Sequence, residues 1–334
     1  MQQVAKWAMS GIQTALLALC AVVAFPFVAS AQDSYPSRPV TVIVPYSAGG
    51  SIDLVTRIAA EGLTQRLKQT FVVEDKPGGN GTIGIGAVVK AAPDGYTLQM
   101  GAVGANVTPG LVQKNYPFDP LRDYFPIAMV AEWSAVLVVK KDLPVNTLAE
   151  FVAYAKARPG QLNWGTTGFG SFAHLVGEVF MQRAGISMQH VQYKGGAPAT
   201  TDLIAGTIDA HMMSSPVAAG QAANPRIKML AVASKRRLHS LPNLPTMAEA
   251  GVLGVDQTAW LCLFGPPALP QAIRERLARE IVAVAHDPVY VEKLRNTGYE
   301  PLGLGLAETE AMYRDELARW SAFIKERGLA EKGK

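Results

Sequence analysis

The chain has 334 residues, 49% of them apolar and 17% charged, which excludes a mainly disordered protein and suffices for two domains of ordinary size. Its formal charge of +4 is spread without basic blocks, so nucleic acid is a poor partner. Two cysteines, Cys20 and Cys262, are too few for a disulfide framework or a cysteine-based zinc site.

The first 31 residues read as a secretory signal peptide. Lys6 precedes an apolar run from Ile12 to Val28, and Ala29-Ser30-Ala31 gives the small-residue cleavage pattern before Gln32. An uncleaved anchor and a lipid-modified Cys20 are the competing readings; the bulky Leu19 disfavours the latter. Cleavage after Ala31 predicts a soluble, exported chain in which Cys262 has no partner.

Beyond Pro39, strand-like and helix-period segments alternate: a strand at Val40–Val44, a helix from Ile52 to Lys68, a strand at Phe71–Val73, a helix through Ala91 and a strand at Tyr96–Met100. Such alternation predicts parallel βαβ units. The pattern restarts with a strand at Ala135–Val139, a helix from Thr147 to Ala157, a strand at Leu162–Trp164 and a helix from Ser171 to Arg183. Strands near His190–Gln192, Ile208–Met213 and Ile227–Ala233 follow, with a helix to Ala205 between the first two. The C-terminus is helical over Gln271–Ala285, Val289–Asn296 and Glu308–Arg327. Two α/β lobes with a cleft between them are expected, with Ile127–Val139 and Thr258–Phe264 as crossover strands.

Residue patterns for catalysis are weak. Five histidines show no HxH or HExxH spacing, so neither a metal nor a cofactor is expected. Gly168-Phe169-Gly170-Ser171-Phe172 fails the nucleophile-elbow pattern, and Ser171 with His174 fits a helix cap better than a nucleophile and base. An exported α/β hydrolase-like enzyme is nonetheless the alternative from another class. Gly79–Gly84 matches Gly-x-Gly-x-x-Gly, but the following strand ends without the carboxylate that binds ribose, so a dinucleotide oxidoreductase ranks third.

A repeated feature is more informative. Tyr46-Ser47-Ala48-Gly49-Gly50-Ser51-Ile52-Asp53 and Thr166-Thr167-Gly168-Phe169-Gly170-Ser171 each place glycines and hydroxyls before a helix. Free N–H groups at a helix start favour an anion, and two such loops facing one cleft suit a carboxylate. Ordinary capped turns account for the same spacing. Tyr193-Lys194-Gly195-Gly196 is a third candidate, in which Lys194 supplies charge. Trp133, Trp164 and Phe169 are candidates for an apolar cleft wall or for core.

The loops, together with Tyr35–Pro39, Pro77–Gly81, Ala92–Leu98, the Gly165–Leu175 stretch containing His174, Asp202–Asp209 and Leu241–Thr246, resemble the Bug family, the periplasmic substrate-binding proteins of tripartite tricarboxylate transporters. The resemblance covers essentially the whole mature chain. It implies a type II-like, two-lobed periplasmic binding protein that is not an enzyme and closes on a small organic carboxylate: di- or tricarboxylate, or aromatic. It also implies delivery to membrane subunits or, in some relatives, a sensor, by a monomer. In that family the first-lobe Gly-Gly loop, here Tyr46 to Asp53, and the second-lobe Gly-Ser loop, here Thr166 to Ser171, hold the carboxylate. Tyr46 stands where the family usually has Phe, and Ile52 where Thr is common; Asp53 also suits a capping role. The expected lobes are residues 32–131 with 257–334, and residues 132–256.

Overall fold

The computed structural model describes residues 35–113, 115–193 and 195–330, without the side chains of Ser51 and Asn80. The signal-peptide reading and Lys194 therefore lie outside the described residues. The chain divides after Ser37. Of the unit Met1–Ser37, Tyr35–Ser37 are described, as a bend. The fold is that of the unit Arg38–Lys334.

Its first part is βαβ in character. Strand β1 (Val40–Val44) is β-branched throughout and apolar except at Thr41, as suits a strand with parallel neighbours on both sides: β2 (Phe71–Asp75) and β3 (Thr97–Ala102). Helix α1 (Ser51–Leu67) buries Val55, Ile58, Ala59 and Leu63, the spacing of one helical face. Helix α2 (Thr82–Val89) leads towards β3, which is followed directly by two short helices, α3 (Val103–Asn106) and α4 (Thr108–Val112).

Strand β4 (Phe125–Lys140) is 16 residues long and organises the rest. Its first half pairs antiparallel with β9 (Thr258–Gly265) and β10 (Glu300–Leu304). Its second half, from Ala135, pairs with β7 (Ala210–Ser214) and β8 (Ile227–Val232). The second part adds α5 (Leu148–Lys156), β5 (Asn163–Thr166), α6 (Phe172–Ala184), β6 (Gln189–Gln192), α7 (Gly196–Ala205) and α8 (Ser215–Gly220). Strand β5 lies parallel between β6 and β7, giving the continuous order β2-β1-β3-β9-β4-β7-β5-β6. Thus β4 passes from one α/β half to the other. The expected second crossover differs: all of β9 pairs within the first half, and the chain crosses before Thr258.

Helices α9 (Gln271–His286), α10 (Pro288–Asn296) and α11 (Leu306–Arg327) complete the chain. Helix α11 reaches both halves. Thr309 Oγ1 accepts from the Met129 N–H of β4 at 3.0 Å, whereas Trp320 packs edge-on against Phe172 and Arg327 pairs with Glu178 of α6 at 2.8 Å. Core packing in the second half centres on Trp164. Its indole occupies the space that a side chain at Gly177 would need, so a glycine in mid-helix lets α6 approach the sheet.

Candidate ligand-binding cleft

A cavity of about 810 Å³ opens beyond the carboxyl ends of the parallel strands, where the segments after β1, β3, β5, β6 and β7 converge. This is where open α/β sheets bind ligands, because strand-to-helix loops and helix starts meet there.

The loop after β5 forms one wall, with Thr167, Gly168, Phe169, Gly170 and Ser171 all lining it. Gly168 (φ 128°) and Gly170 (φ 72°) take left-handed backbone that L side chains disfavour. Two histidines hold the loop from behind. His174 Nδ1 accepts the Gly170 N–H at 3.2 Å, and Thr166 Oγ1 lies 2.6 Å from His190 Nε2. Burial, then the neighbouring His190, pushes the His174 pKa down to about 3. The imidazole therefore stays neutral and can accept at Nδ1. Ser171 Oγ accepts the His174 N–H at 3.2 Å, capping α6. The two residues of the hydrolase alternative are thus occupied as cap and loop anchor. Thr166 and His174 stand behind the wall; neither lines the cavity.

The loop after β1 contributes less surface than its sequence suggests. Tyr46 and Ile52 line the cavity, while Ser47, Ala48, Gly49 and Gly50 are solvent-exposed and outside its wall. Ser51 contributes its backbone as the first residue of α1. Asp53 is buried and turned inward: Oδ2 accepts the Gly49 N–H at 2.9 Å, and Oδ1 lies 2.7 Å from Arg57 Nε. It shapes the loop instead of facing the cavity. Gly79 to Gly84, the dinucleotide-like motif, form a short 3₁₀ turn and the start of α2, and none of them lines the cavity.

Sequence reasoning missed a third wall, from Ala102 to Gln113. Helices of four and five residues have too little periodicity to be read, and tertiary hydrogen bonds fix them instead. Gln99 and Asn106 exchange amide hydrogen bonds at 3.2 and 3.3 Å, the Tyr124 and Tyr313 hydroxyls donate to the Asn106 carbonyl, and Tyr116 donates to the Ala105 carbonyl. Buried amide pairs of this kind specify one geometry because an unpaired member is costly. His211, Tyr299 and the start of α7 at Gly195–Ala197 also line the cavity. The start of α7 belongs to the Tyr193–Gly196 segment named from the sequence as a third candidate, whereas His211 and Tyr299 carried no sequence signal.

Tyr193 lines the cavity while its hydroxyl donates to Asp202 Oδ2 at 2.7 Å; burial and that bond raise its pKa to about 12. Trp133 lines the cavity and packs edge-on against Phe172 at 5.0 Å, and Phe169 lines it at 43% exposure, whereas Trp164 is core. Among the described residues, the lining includes no Lys, Arg, Asp or Glu. The polar groups it offers are backbone N–H groups at the starts of α6 and α7, hydroxyls, amides and the His211 imidazole. No cluster of three or more potential metal ligands occurs among the described residues, and none of their helices is long and apolar enough to cross a membrane.

Two α/β halves joined through a shared strand, with a cavity at the ends of the parallel strands, are the architecture of a two-lobed solute-binding protein. The model of the tripartite tricarboxylate transporter family receptors matches residues 55–329, and the chain belongs to that family. Its members are transport receptors and not enzymes. BugT of Bordetella pertussis is 33% identical over 297 residues, covering 89% of this chain and 91% of that one. Among solved structures, an R. palustris protein with adipate superposes with a TM-score of 0.80 at 33% identity, covering 89% of this chain and 99% of its own. MatC from Rhodopseudomonas palustris with bound malate gives 0.74 at 27% identity, covering 87% and 100%.

Proposed function

We propose that the chain, after removal of residues 1–31, is a periplasmic receptor that captures a small organic carboxylate in this cavity and delivers it to the membrane subunits of a tripartite transporter. The observation that carries the reading is the cavity's polar wall: the starts of α6 and α7 project into it, with hydroxyls beside them and no charged side chain among the described lining residues. Unpaired N–H groups and the positive ends of two helix dipoles favour a carboxylate, each by about 0.3–1 kcal/mol when exposed and up to about 2 when partly buried.

Adipate and malate in two relatives support the ligand class. Trp133, Phe169 and Tyr46 supply an apolar face that suits the carbon skeleton of a dicarboxylate or an aromatic acid. In this reading Thr167 to Ser171, Tyr46, Tyr193 and the start of α7 touch the ligand. Asp53, Thr166 and His174 hold the loops that do so. Residues 32–131 with 257–334 form one lobe and residues 132–256 the other, and they close by bending near β4.

The test is a thermal-shift screen of residues 32–334 against mono-, di- and tricarboxylates, aliphatic and aromatic. A ligand at 100 times its Kd adds about 2.7 kcal/mol of stability, a shift of a few degrees. A flat panel, with no acid released from the denatured protein in mass spectrometry, overturns the reading.

A further inference from the structure

His211, on β7, lines the cavity although only 1% of its surface is exposed. Its Nδ1 lies 2.8 Å from the Gly165 carbonyl oxygen at the end of β5. A carbonyl oxygen only accepts, so Nδ1 carries a proton. Burial holds the imidazole pKa below the ordinary histidine range, against the opposing pull of the Gly165 bond, and the ring is neutral at physiological pH. Nε2 is then a bare lone pair. No hydrogen bond from another described residue reaches it, and His211 is among the residues that line the cavity.

Helix-start N–H groups can hold a carboxylate, but Nε2 demands a donor. A carboxylate oxygen placed there meets a lone pair. An ammonium would bring a positive charge into a wall that offers no carboxylate among the described residues. A hydroxyl donates and needs no countercharge.

We propose that His211 Nε2 is a specificity-determining acceptor that takes a hydrogen bond from a hydroxyl on the ligand, so that the cavity prefers a hydroxy-carboxylate to the same acid without the hydroxyl. The inference rests on the cavity being the carboxylate site. It goes beyond that reading by naming a subsite and the group it selects. Within the site the carboxylate lies at the starts of α6 and α7 and the hydroxyl at β7.

The test compares acids that differ by one hydroxyl, malate against succinate and citrate against tricarballylate, by isothermal titration of residues 32–334. The expected result is a preference of about tenfold for the hydroxylated member of whichever pair binds, since the other leaves a desolvated acceptor unpaired. His211→Asn places an amide N–H where Nδ1 was, which keeps the bond to Gly165 and deletes Nε2. It should lose the preference while remaining folded, with a far-ultraviolet circular dichroism spectrum that matches wild type. A binding pair with no preference, or a preference that survives in His211→Asn, overturns the role of His211 and leaves the carboxylate reading standing. If no member of either pair binds, the preference has no basis and the inference falls. The carboxylate reading is then judged by the wider acid panel. Nitrogen-15 NMR of histidine-labelled wild-type protein tests the premise without any ligand or variant: His211 should be neutral and protonated at Nδ1, and a proton on Nε2 overturns the proposal.

Discussion

Replacing Ser171 by alanine removes one hydrogen bond, the 3.2 Å contact in which Ser171 Oγ accepts the His174 N–H at the start of α6. Loss of such a cap costs about 1 kcal/mol, within a range of about 0.5–2, whereas glycine at the same position costs only a few tenths. Ser171 is half-buried beside the cavity, so water can reach the freed N–H and the cost should fall in the lower half of that range. Helix α6 itself survives, because Leu175, Val176, Val179 and Phe180 remain packed in the core. For a chain of this length, about 1 kcal/mol corresponds to a Tm decrease of about 2 °C. The assay is calorimetric unfolding of wild type, Ser171→Ala and Ser171→Gly, with an ester-hydrolysis panel run on the same preparations. Capping requires the alanine variant to be the least stable and all three proteins to lack turnover. Wild-type stability in Ser171→Ala, a glycine variant less stable than the alanine one, or hydrolysis that disappears with Ser171 would each refute the reasoning.

Acid should destabilise the fold through its buried histidines. The His174 pKa falls from 6.5 to about 3 on folding, so between these values the unfolded chain binds a proton that the folded chain does not. Stability is therefore fully present above about pH 6.5 and declines as pH drops towards 3, by up to about 1.4 kcal/mol per pH unit for each such histidine. His190 and His211 are shifted in the same direction. His174→Asn keeps an acceptor for the Gly170 N–H, and urea midpoints measured across this window should show a shallower decline. Gly170→Ala should cost at least about 1–2 kcal/mol, because φ is 72° and the new Cβ would sit 3.1 Å from a Val112 methyl. Gly50→Ala, at φ −72° with Ser47 O at 3.3 Å, should cost less than about 1 kcal/mol by thermal unfolding. Trp133 lines the cavity, whereas Trp164, Trp260 and Trp320 are fully buried. Any ligand-induced change in tryptophan fluorescence should therefore vanish in Trp133→Phe, and an unchanged signal would move the ligand elsewhere.

The sequence by itself determined the longer strands and helices in their order, and it located the loop after β5 and the ends of the loop after β1 that line the cavity. Those signals are local. A β-branched, largely apolar run such as Val40–Val44 declares a buried strand, the spacing of Val55, Ile58, Ala59 and Leu63 declares a helix face, and glycine with serine before Phe172 declares a helix start. What each loop residue does was decided only in the tertiary structure. Asp53 and His174 share loop motifs with cavity-facing residues, yet their side chains turn back to hold Gly49 and Gly170. The wall at Ala102–Gln113 and the placement of His211 depend on hydrogen bonds between segments far apart in the chain, including Tyr313 to Asn106. Periodicity reports which face of an element is buried. It carries no information on which distant side chain completes a wall, because that is fixed by packing across β4 after the elements have formed.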